Sequence, residues 1–369
     1  MMNIPPINLK AQFKTVRRDI LRCVREILDE QKLILGKYCS TLEEMIGSYV
    51  GVPCAVTCAN GTDALILSLM ALGIKDGDEV ITTPYTFFAT ASSIALVGAK
   101  PVFVDIEPQD MNINPALIER AITPRTKAVT IVHLFGKVCQ MERICDIGQE
   151  YGIPVIEDMA QSLGAMRDGK MCGVFGDIAA MSFYPTKNLG GIGEGGMVLS
   201  KRNDLGERAR KLRVHGMADT PYHHEMIGIN SRLDEIKACA LVMKFSHLQN
   251  WNMRRLKNAK YYNKMLRDLP IVLPKIEDDS SHIFHQYVIR VNERDKLQAF
   301  LKGKGIQTGI YYPVPLHLQK CFAHFGFKKG DFPEAEKAAL TSLALPVYPE
   351  LKRVEKDYIV QSIREFFNS

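Results

Sequence analysis

The chain is longer than one hydrophobic core normally supports, because its 369 residues exceed the roughly 250–300 residues at which a single core stops growing. Its 47 Lys and Arg residues outnumber its 41 Asp and Glu residues, but they are scattered, unlike the clustered charge of a nucleic-acid-binding surface. No stretch approaches the roughly 18 consecutive apolar residues of a membrane span. Nine cysteines, together with an N-terminus that lacks an apolar leader, indicate the reducing cytoplasm. We therefore expect a cytoplasmic protein that binds neither nucleic acid nor membrane.

Two helices are predicted at the start of the chain. Apolar residues repeat with helical spacing from about residue 17 to residue 28, and a second amphipathic stretch runs from 42 to 49. Short apolar runs then alternate with helical segments as far as IPVIED, at residues 153–158. This alternation is typical of a mostly parallel sheet with helices on both faces.

The pattern changes in the second half of the chain. One or two long helices are predicted from 232 to about 269, with any break near 249–252. Beyond them QYVIRV is a predicted strand, DKLQAFLKGKG is a helix that ends on glycine, and DYIVQSIREFF is a closing helix. We expect an α/β protein whose large domain, with the N-terminal helical segment, spans residues 1–250 and whose small domain spans residues 251–369.

Two residues with chemical potential follow predicted strands. Asp158 ends the run IPVIED, at the carboxyl edge where open α/β sheets bind ligands. Lys187 lies in SFYPTKNLGGIGEGG, whose many glycines exclude a regular helix. Lysine condenses with the aldehyde of pyridoxal phosphate, and a carboxylate that keeps the ring nitrogen protonated makes the ring an electron sink. Taken alone, however, a lysine such as Lys187 is more often solvent-exposed, and an aspartate at a strand end such as Asp158 is more often a helix cap.

A third segment, ANGTDALILSL, supplies a phosphate-binding element. Asn60, Gly61 and Thr62 lie where a strand ends and an amphipathic helix begins, and the free N–H groups of a first helical turn favour phosphate. The alternative is an ordinary helix start capped by Thr62 or Asp63. The coincidence with Asp158 and Lys187 favours the phosphate site, and thus a pyridoxal-phosphate enzyme.

With these residues in view, the chain resembles the sugar aminotransferases of the DegT/DnrJ/EryC1/StrS family, within the fold-type I pyridoxal-phosphate enzymes. The resemblance runs nearly from end to end. It is carried by ANGTDALILSL, TPYTFFATASSI, AKPVFVDIEP, AITPRTKAV, VIEDMAQSLGA, SFYPTKNLGGIGEGG, INSRLDEIKA, TGIYYPVPLHLQ and LALPVYPEL. It implies a large domain with a mostly parallel seven-stranded sheet and a smaller C-terminal α/β domain.

The resemblance also assigns cofactor contacts. It implies that Lys187 forms the Schiff base with pyridoxal 5'-phosphate and that Asp158 pairs with the pyridinium nitrogen. The further cofactor contacts it implies are Gly61, Thr62 and Ser182 at the phosphate, Phe87 stacked on the ring, Gln161 near the phenolic oxygen, and Asn230 at the phosphate of a neighbouring subunit. Phe88 is the alternative to Phe87, because a slip of one residue exchanges them. The role of Asn230 implies a homodimer with shared active sites.

Substrate contacts and the reaction follow from the same resemblance. The residues that correspond to positions facing the sugar nucleotide are Arg232, Tyr311, Tyr312 and His317. The implied activity moves an amino group from an amino acid, glutamate in most of the family, to a nucleotide-linked keto sugar, for the biosynthesis of amino sugars in surface polysaccharides or glycosides. The string YHHEMIGINSRLD is more similar to members that act at C3 of the hexose than at C4, so a 3-keto hexose is expected.

Two alternative functions and one alternative site are weighed against this prediction. Sugar dehydratases on the same fold carry histidine in place of the lysine, whereas this chain has Lys187. A non-catalytic regulator would normally carry an added DNA-binding segment, which we do not expect here. No metal site is predicted, because Cys54 and Cys58 are about 13 Å apart along a strand, too far for a shared zinc.

Two departures from the family pattern, GEGG at Glu194 and LGKYCS at Lys37, limit any transfer of fine substrate preference.

Overall fold

A computed structural model of the protein describes residues 2–278 and 280–368. The helices of this part of the chain are α1 (Leu9–Glu30), α2 (Lys37–Val50), α3 (Gly61–Ala71), α4 (Phe88–Leu96), α5 (Pro115–Ala121), α6 (Met141–Tyr151), α7 (Asn203–Leu212), α8 (Glu235–Phe245), α9 (Leu248–Leu266), α10 (Arg294–Gly303), α11 (Pro333–Thr341) and α12 (Arg353–Asn368). Its strands are β1 (Cys54–Cys58), β2 (Glu79–Thr82), β3 (Lys100–Phe103), β4 (Thr126–Val132), β5 (Val155–Asp158), β6 (Met166–Arg167), β7 (Lys170–Met171), β8 (Ile178–Ser182), β9 (Gly196–Ser200), β10 (Tyr287–Arg290) and β11 (Ser342–Leu345). None of these helices combines the length and the apolar character needed to cross a membrane.

The main sheet has seven strands in the order β1-β9-β8-β5-β4-β2-β3. Strand β9 is antiparallel to both of its neighbours, and the other adjacent pairs are parallel. This confirms the predicted mostly parallel seven-stranded sheet. Because β9 runs in the opposite direction, its first residue Gly196 lies beside the last residues of β1 and β8, Cys58 and Ser182. The ends of these strands therefore meet at one edge.

Two apolar layers cover the two faces of the sheet. Helices α2, α6 and α8 pack on one face, and α3, α4 and α7 pack on the other. Successive strand residues point to opposite faces, so Val155 joins the first layer and Ile156 joins the second. A sheet buried on both faces explains why its strands read as continuous apolar runs in the sequence.

Several helix ends differ from the sequence prediction, and two of these differences have a clear physical reason. Helix α1 begins at Leu9, well before residue 17, because Asn8 caps it by accepting a hydrogen bond from the backbone N–H of Ala11 at 3.0 Å. The break between α8 and α9 falls at residues 246–247, ahead of the predicted 249–252. Asn252, a poor helix former, lies inside α9 because its side-chain amide is buried in tertiary hydrogen bonds.

The C-terminal part of the chain builds a second apolar core around a smaller sheet. Strands β10 and β11 pair antiparallel, and α9, α10 and α12 pack against them through Tyr262, Leu297 and Ile359. Ile4 from the start of the chain joins this core and forms a parallel bridge with Ile306. The first residues thus pack with the C-terminal unit, whereas the sequence prediction grouped them with residues 1–250.

Candidate active site

The ends of β5, β8 and β1 bring the predicted cofactor residues to one edge of the sheet. Asp158 is the last residue of β5, Ser182 is the last residue of β8, and β1 leads through Asn60 into α3, which begins at Gly61. A Cβ atom on Gly61 would lie 2.6 Å from the Cβ of Ser182. Only glycine therefore allows the start of α3 to approach the end of β8 this closely.

Asp158 is a buried carboxylate held by two hydrogen bonds. Thr90 donates its hydroxyl to Oδ2 at 2.8 Å, and the backbone N–H of Ala160 donates to Oδ1 at 3.2 Å. Burial raises the pKa of Asp158 above its ordinary value, although these hydrogen bonds and the charge of Lys187 lower it. A buried carboxylate is stabilised by a cationic partner, and a protonated ring nitrogen is a suitable one.

Lys187 follows β8 in a turn, in which its backbone N–H donates to the carbonyl of Tyr184 at 2.8 Å. Burial lowers the pKa of its amine to about 8, while the charge of Asp158 acts in the opposite direction. The neutral amine is the form that attacks an aldehyde, so the lowered pKa suits a Schiff-base lysine.

The start of α3 offers hydrogen-bond donors for a phosphate. Asn60 caps the helix with its side-chain oxygen, which accepts from the N–H of Asp63 at 2.9 Å. Within residues 2–278 and 280–368 no acceptor is found for the N–H groups of Gly61 and Thr62, the first two of the helix. The cap is thus Asn60 and neither Thr62 nor Asp63, and the remaining donors are those that a dianionic phosphate needs.

Gln161 is held between a backbone donor and a tyrosine. Its Oε1 accepts from the N–H of Phe135 at 2.6 Å, and its Nε2 donates to the hydroxyl of Tyr312 at 3.2 Å. The ring of Phe87, which is 56% exposed, lies 6.1 Å from the ring of Tyr312. The exposed side chain of Phe87 is therefore within reach of a cofactor ring bound beside Gln161.

Phe88 faces a different environment from Phe87. Its ring stacks on Phe322 at 5.5 Å, with the two planes 29° apart. This contact occupies Phe88 with the apolar cluster around Phe322. Of the two candidates for the stacking aromatic, the geometry favours Phe87.

Thr90 is the site residue that sequence reasoning missed. It lies on α4, is buried, and contacts both Asp158 and the hydroxyl of Thr86, which is 3.1 Å away. The motif TPYTFFATASSI contains both threonines, four positions apart, with Thr86 just before the start of α4. It did not reveal the partner, because Asp158 is 68 positions later in the chain.

The residues predicted to contact substrate are not all equally placed. Tyr312 reaches Gln161, and the backbone carbonyl of Tyr311 accepts a hydrogen bond from the hydroxyl of Tyr85 at 2.6 Å. Arg232 is half-buried. His317 is only 1% exposed, and its Nε2 lies 3.0 Å from a carboxylate oxygen of Glu336. The structure thus brings Tyr312 to Gln161, one of the predicted cofactor contacts, and holds His317 against Glu336.

Comparison with known proteins identifies the family. The model of the DegT/DnrJ/EryC1/StrS aminotransferase family matches residues 14–364. The "Pleiotropic regulatory protein" of Geobacillus stearothermophilus is 48% identical over 99% of both chains. The "UDP-N-acetyl-3-dehydro-alpha-D-glucosamine 3-aminotranferase" of Acidithiobacillus ferrooxidans is 44% identical over 98% of this chain and 97% of its own.

A solved structure agrees with these relatives. The X-ray crystal structure of S. venezuelae DesV in complex with ketimine intermediate superimposes with a TM-score of 0.97, at 37% identity and with all of both chains covered. Buried Asp158, the lowered pKa of Lys187 and the donors at the start of α3 fit pyridoxal phosphate. The chain therefore belongs to the DegT/DnrJ/EryC1/StrS aminotransferase family and is a pyridoxal-phosphate-dependent aminotransferase.

Proposed function

We propose that this aminotransferase moves an amino group from glutamate to a nucleotide-linked keto sugar, and that the ketone is at C3 of a hexose. The observation that carries the proposal is the meeting of Asp158, Lys187 and the start of α3 at one sheet edge. The name of the Acidithiobacillus relative supports a 3-keto sugar nucleotide as the acceptor. The product would serve the synthesis of amino sugars for surface polysaccharides or glycosides.

Binding of the cofactor would use residues from three elements. The N–H groups of Gly61 and Thr62 and the hydroxyl of Ser182 hold its phosphate, and Phe87 covers the ring. Asp158 accepts the hydrogen bond from the ring nitrogen and keeps it protonated. Pyridoxal phosphate, when bound, supplies an electron sink for the carbon that gains or loses the amino group.

Lys187 would act first as the anchor and then as the base. When the amino donor replaces it, its Nζ becomes free to take a proton from the donor's α-carbon. In the second half of the reaction the same amine returns a proton to the sugar carbon that receives nitrogen. Because its pKa is about 8, the amine can gain and release a proton near neutral pH.

We further propose that the enzyme is a homodimer in which Asn230 reaches the partner's cofactor phosphate. The neighbouring Ser231 faces its own chain, because its Oγ donates to Asp63 at 2.6 Å and accepts from the N–H of Ala59 at 3.0 Å. Successive side chains of an extended segment point to opposite sides, so Asn230 points away from that loop and is exposed. Tyr222 and Ile227 of the same segment are each 92% exposed, which suits a subunit interface.

The reducing cytoplasm is the proposed compartment. Every one of the nine cysteines is a free thiol, which is the state that a cytoplasmic protein maintains. The substrate proposed above, a nucleotide-linked sugar, is in keeping with that compartment.

A regulatory role is the second candidate, and it rests on the name of the Geobacillus relative. A regulator has no use for a buried carboxylate beside a lysine with a lowered pKa, and both are present here. The dehydratase alternative remains disfavoured by Lys187. Turnover of a keto sugar nucleotide by the purified protein would separate catalysis from regulation.

Two experiments test the proposal. Borohydride reduction followed by peptide mapping is expected to fix the cofactor on the peptide that contains Lys187, whereas Lys187→Ala should bind cofactor without a covalent bond and lose transamination. Cofactor on another lysine would overturn the assignment. Glutamate with a panel of 3-keto and 4-keto sugar nucleotides, read by mass spectrometry of the amino sugar, tests the substrate. Amination of only 4-keto sugars would refute the C3 proposal.

A further inference from the structure

Three buried polar side chains, one of them on the residue after Lys187, are linked in series by hydrogen bonds and form what we call the hydrogen-bond chain. His285 Nδ1 is 3.0 Å from Asn188 Oδ1, Asn188 Nδ2 donates to Asn252 Oδ1 at 2.7 Å, and Asn252 Nδ2 donates to the carbonyl of Leu163 at 3.0 Å. The three side chains are each less than one-tenth exposed. None of them has a role in the mechanism described above.

The hydrogen-bond chemistry fixes the direction of this chain. The carbonyl of Leu163 can only accept, so Asn252 must present its Nδ2 to that carbonyl and its Oδ1 to Asn188. Asn188 must then donate with its Nδ2 and accept with its Oδ1. His285 is therefore the donor at the far end, with its proton on Nδ1.

The imidazole of His285 is held in its neutral form. Burial lowers the pKa of His285 far below its ordinary value, and the charges of Lys187 and Arg255 lower it further. Arg255 is itself buried, and its guanidinium donates to the backbone carbonyls of Phe284 at 3.3 Å and His285 at 3.2 Å. The ring thus carries a single proton, which is the one donated to Asn188.

The hydrogen-bond chain connects the segments on which the reaction depends. Asn188 is the residue after Lys187, and Leu163 lies in the segment that follows Asp158 and Gln161. Asn252 belongs to α9, which packs with the C-terminal core. A Cβ on Gly164 would lie 2.7 Å from Asn252 Nδ2, so the backbone there is closely fitted around this amide.

We propose that His285 is a positioning residue for transamination, whose Nδ1–H holds Asn188 and so fixes Lys187 relative to the segment that carries Asp158 and Gln161. The inference rests on the proposed role of Lys187 as the Schiff-base lysine. His285 acts through Asn188 and takes no part in proton transfer to substrate.

Two neutral substitutions at His285 distinguish the contributions of its two ring nitrogens, Nδ1 and Nε2. In His285→Asn the side-chain nitrogen can occupy the position of Nδ1 and still donate to Asn188, whereas in His285→Gln it occupies the position of Nε2 and leaves Asn188 without a donor. We expect H285Q to lower kcat by about a hundredfold, the loss that a misplacement of about 1 Å causes, with little change in KM for the sugar nucleotide. His285→Asn should restore most of that loss.

A second readout needs neither cofactor nor turnover. In the apoprotein, the pH dependence of the chemical modification of Lys187, followed by mass spectrometry of its peptide, gives the pKa of that amine. We expect a pKa near 8 in the wild type and in H285N, and a shift toward the ordinary value of about 10.4 in H285Q. His282→Gln is the matched control, because His282 is a buried histidine of the same segment that takes no part in the hydrogen-bond chain. This substitution should leave the pKa of Lys187 unchanged.

Asn188→Leu gives the same test at the next link if H285Q does not fold. Its neutral side chain neither accepts from His285 nor donates to Asn252, so the pKa of Lys187 should rise as it does in H285Q without any added charge. Equal values in folded H285N and H285Q, or a value in folded N188L equal to the wild type, would overturn the inference. Failure of the proposed role of Lys187 is distinguishable, since it appears as borohydride-fixed cofactor on another lysine of the wild type.

Discussion

The pKa values of Asp158 and Lys187 are shifted in opposite directions for the same physical reason. Burial disfavours charge, so it raises the pKa of the carboxyl and lowers the pKa of the amine. Each residue partly offsets the shift of the other through the attraction between their charges. A pair of groups moved toward neutrality in this way is typical of a site prepared for proton transfer.

Asp158→Asn is expected to preserve the fold and to disable the chemistry. The substitution keeps the shape of the side chain but removes the charge that would keep the ring nitrogen protonated. We expect kcat to fall by about 10²–10³-fold, as it does when a single charge-stabilising contact is removed from an active site. Steady-state kinetics measures the loss, and an unchanged melting temperature controls for the fold. Near-normal turnover in a folded variant would contradict the role of Asp158.

Thr90→Val tests whether the Thr90 hydroxyl, which donates to Asp158, controls the pKa of that carboxyl. The hydroxyl lowers the pKa of Asp158 by donating to its charged form, so its removal should raise that pKa further. The acidic limb of the kcat/KM profile should therefore move to higher pH, and kcat/KM should fall by about tenfold, the worth of one hydrogen bond to a charged group. Thr90→Ser keeps the hydroxyl and serves as the control. A pH profile that is identical in all three proteins would exclude the tuning role.

At the scale of elements, the start of α3 depends on the absence of one side chain. Gly61→Ala would place a Cβ atom 2.6 Å from the Cβ of Ser182, closer than real contacts allow. The helix start must then move away from β8, and its donors should lose their alignment on the phosphate. We expect cofactor affinity to fall by tenfold or more, about 1.4 kcal/mol or above.

Gly303→Ala is the matched control for that substitution. Gly303 is the last residue of α10, and a Cβ atom there would meet nothing within 4 Å. Titration of both apoproteins with pyridoxal phosphate, followed by absorbance, compares the two variants. Equal affinity of the Gly61 and Gly303 variants would show that the close packing at α3 does not serve phosphate binding.

The elements also show where prediction from sequence succeeds. The alternation of apolar runs and helices predicted the sheet, because strands buried on both faces must be apolar throughout. It could not predict the reversed direction of β9, since pairing direction depends on partners distant in sequence. The break between α8 and α9 was expected near 249–252 but falls at 246–247, because the side chain of Asn252 is satisfied inside α9 by Asn188 and the carbonyl of Leu163.

The candidate site was predictable in part for related reasons. Asp158, Lys187 and Gly61 stand beside local signals, such as a strand end, a run of glycines and a helix start. Thr90 gave no such signal, because a threonine in an apolar helix reads as ordinary packing until its partner is known. The burial of His317 against Glu336 also depends on a contact between distant parts of the fold.

For the whole molecule, the proposal of a shared site makes complementation a direct test. If Asn230 acts across a two-fold interface, mixing inactive Lys187→Ala with an inactive Asn230→Glu protein should restore activity, because each mixed dimer contains one site with both defects and one with neither. Random pairing of equal amounts puts half of the dimers in the mixed form, so about a quarter of wild-type activity is expected.

The mixing experiment needs proof that subunits have exchanged. Two different affinity tags, purified in sequence, isolate the mixed dimer and show that it formed. Each protein alone must be inactive under the same assay. Verified mixed dimers without activity would place Asn230 in the site of its own chain or away from the cofactor.

The contact between Ile4 and Ile306 has a consequence for how the chain is made. The N–H of Ile4 donates to the carbonyl of Gly305 at 2.9 Å, and its carbonyl accepts from the N–H of Gln307 at 2.9 Å. Synthesis on the ribosome proceeds from the N-terminus, so Ile4 emerges about 300 residues before the strand of backbone that pairs with it. Ile4 must therefore stay unpaired until residues 305–307 have been made, by which point every strand of the seven-stranded sheet has already been synthesised.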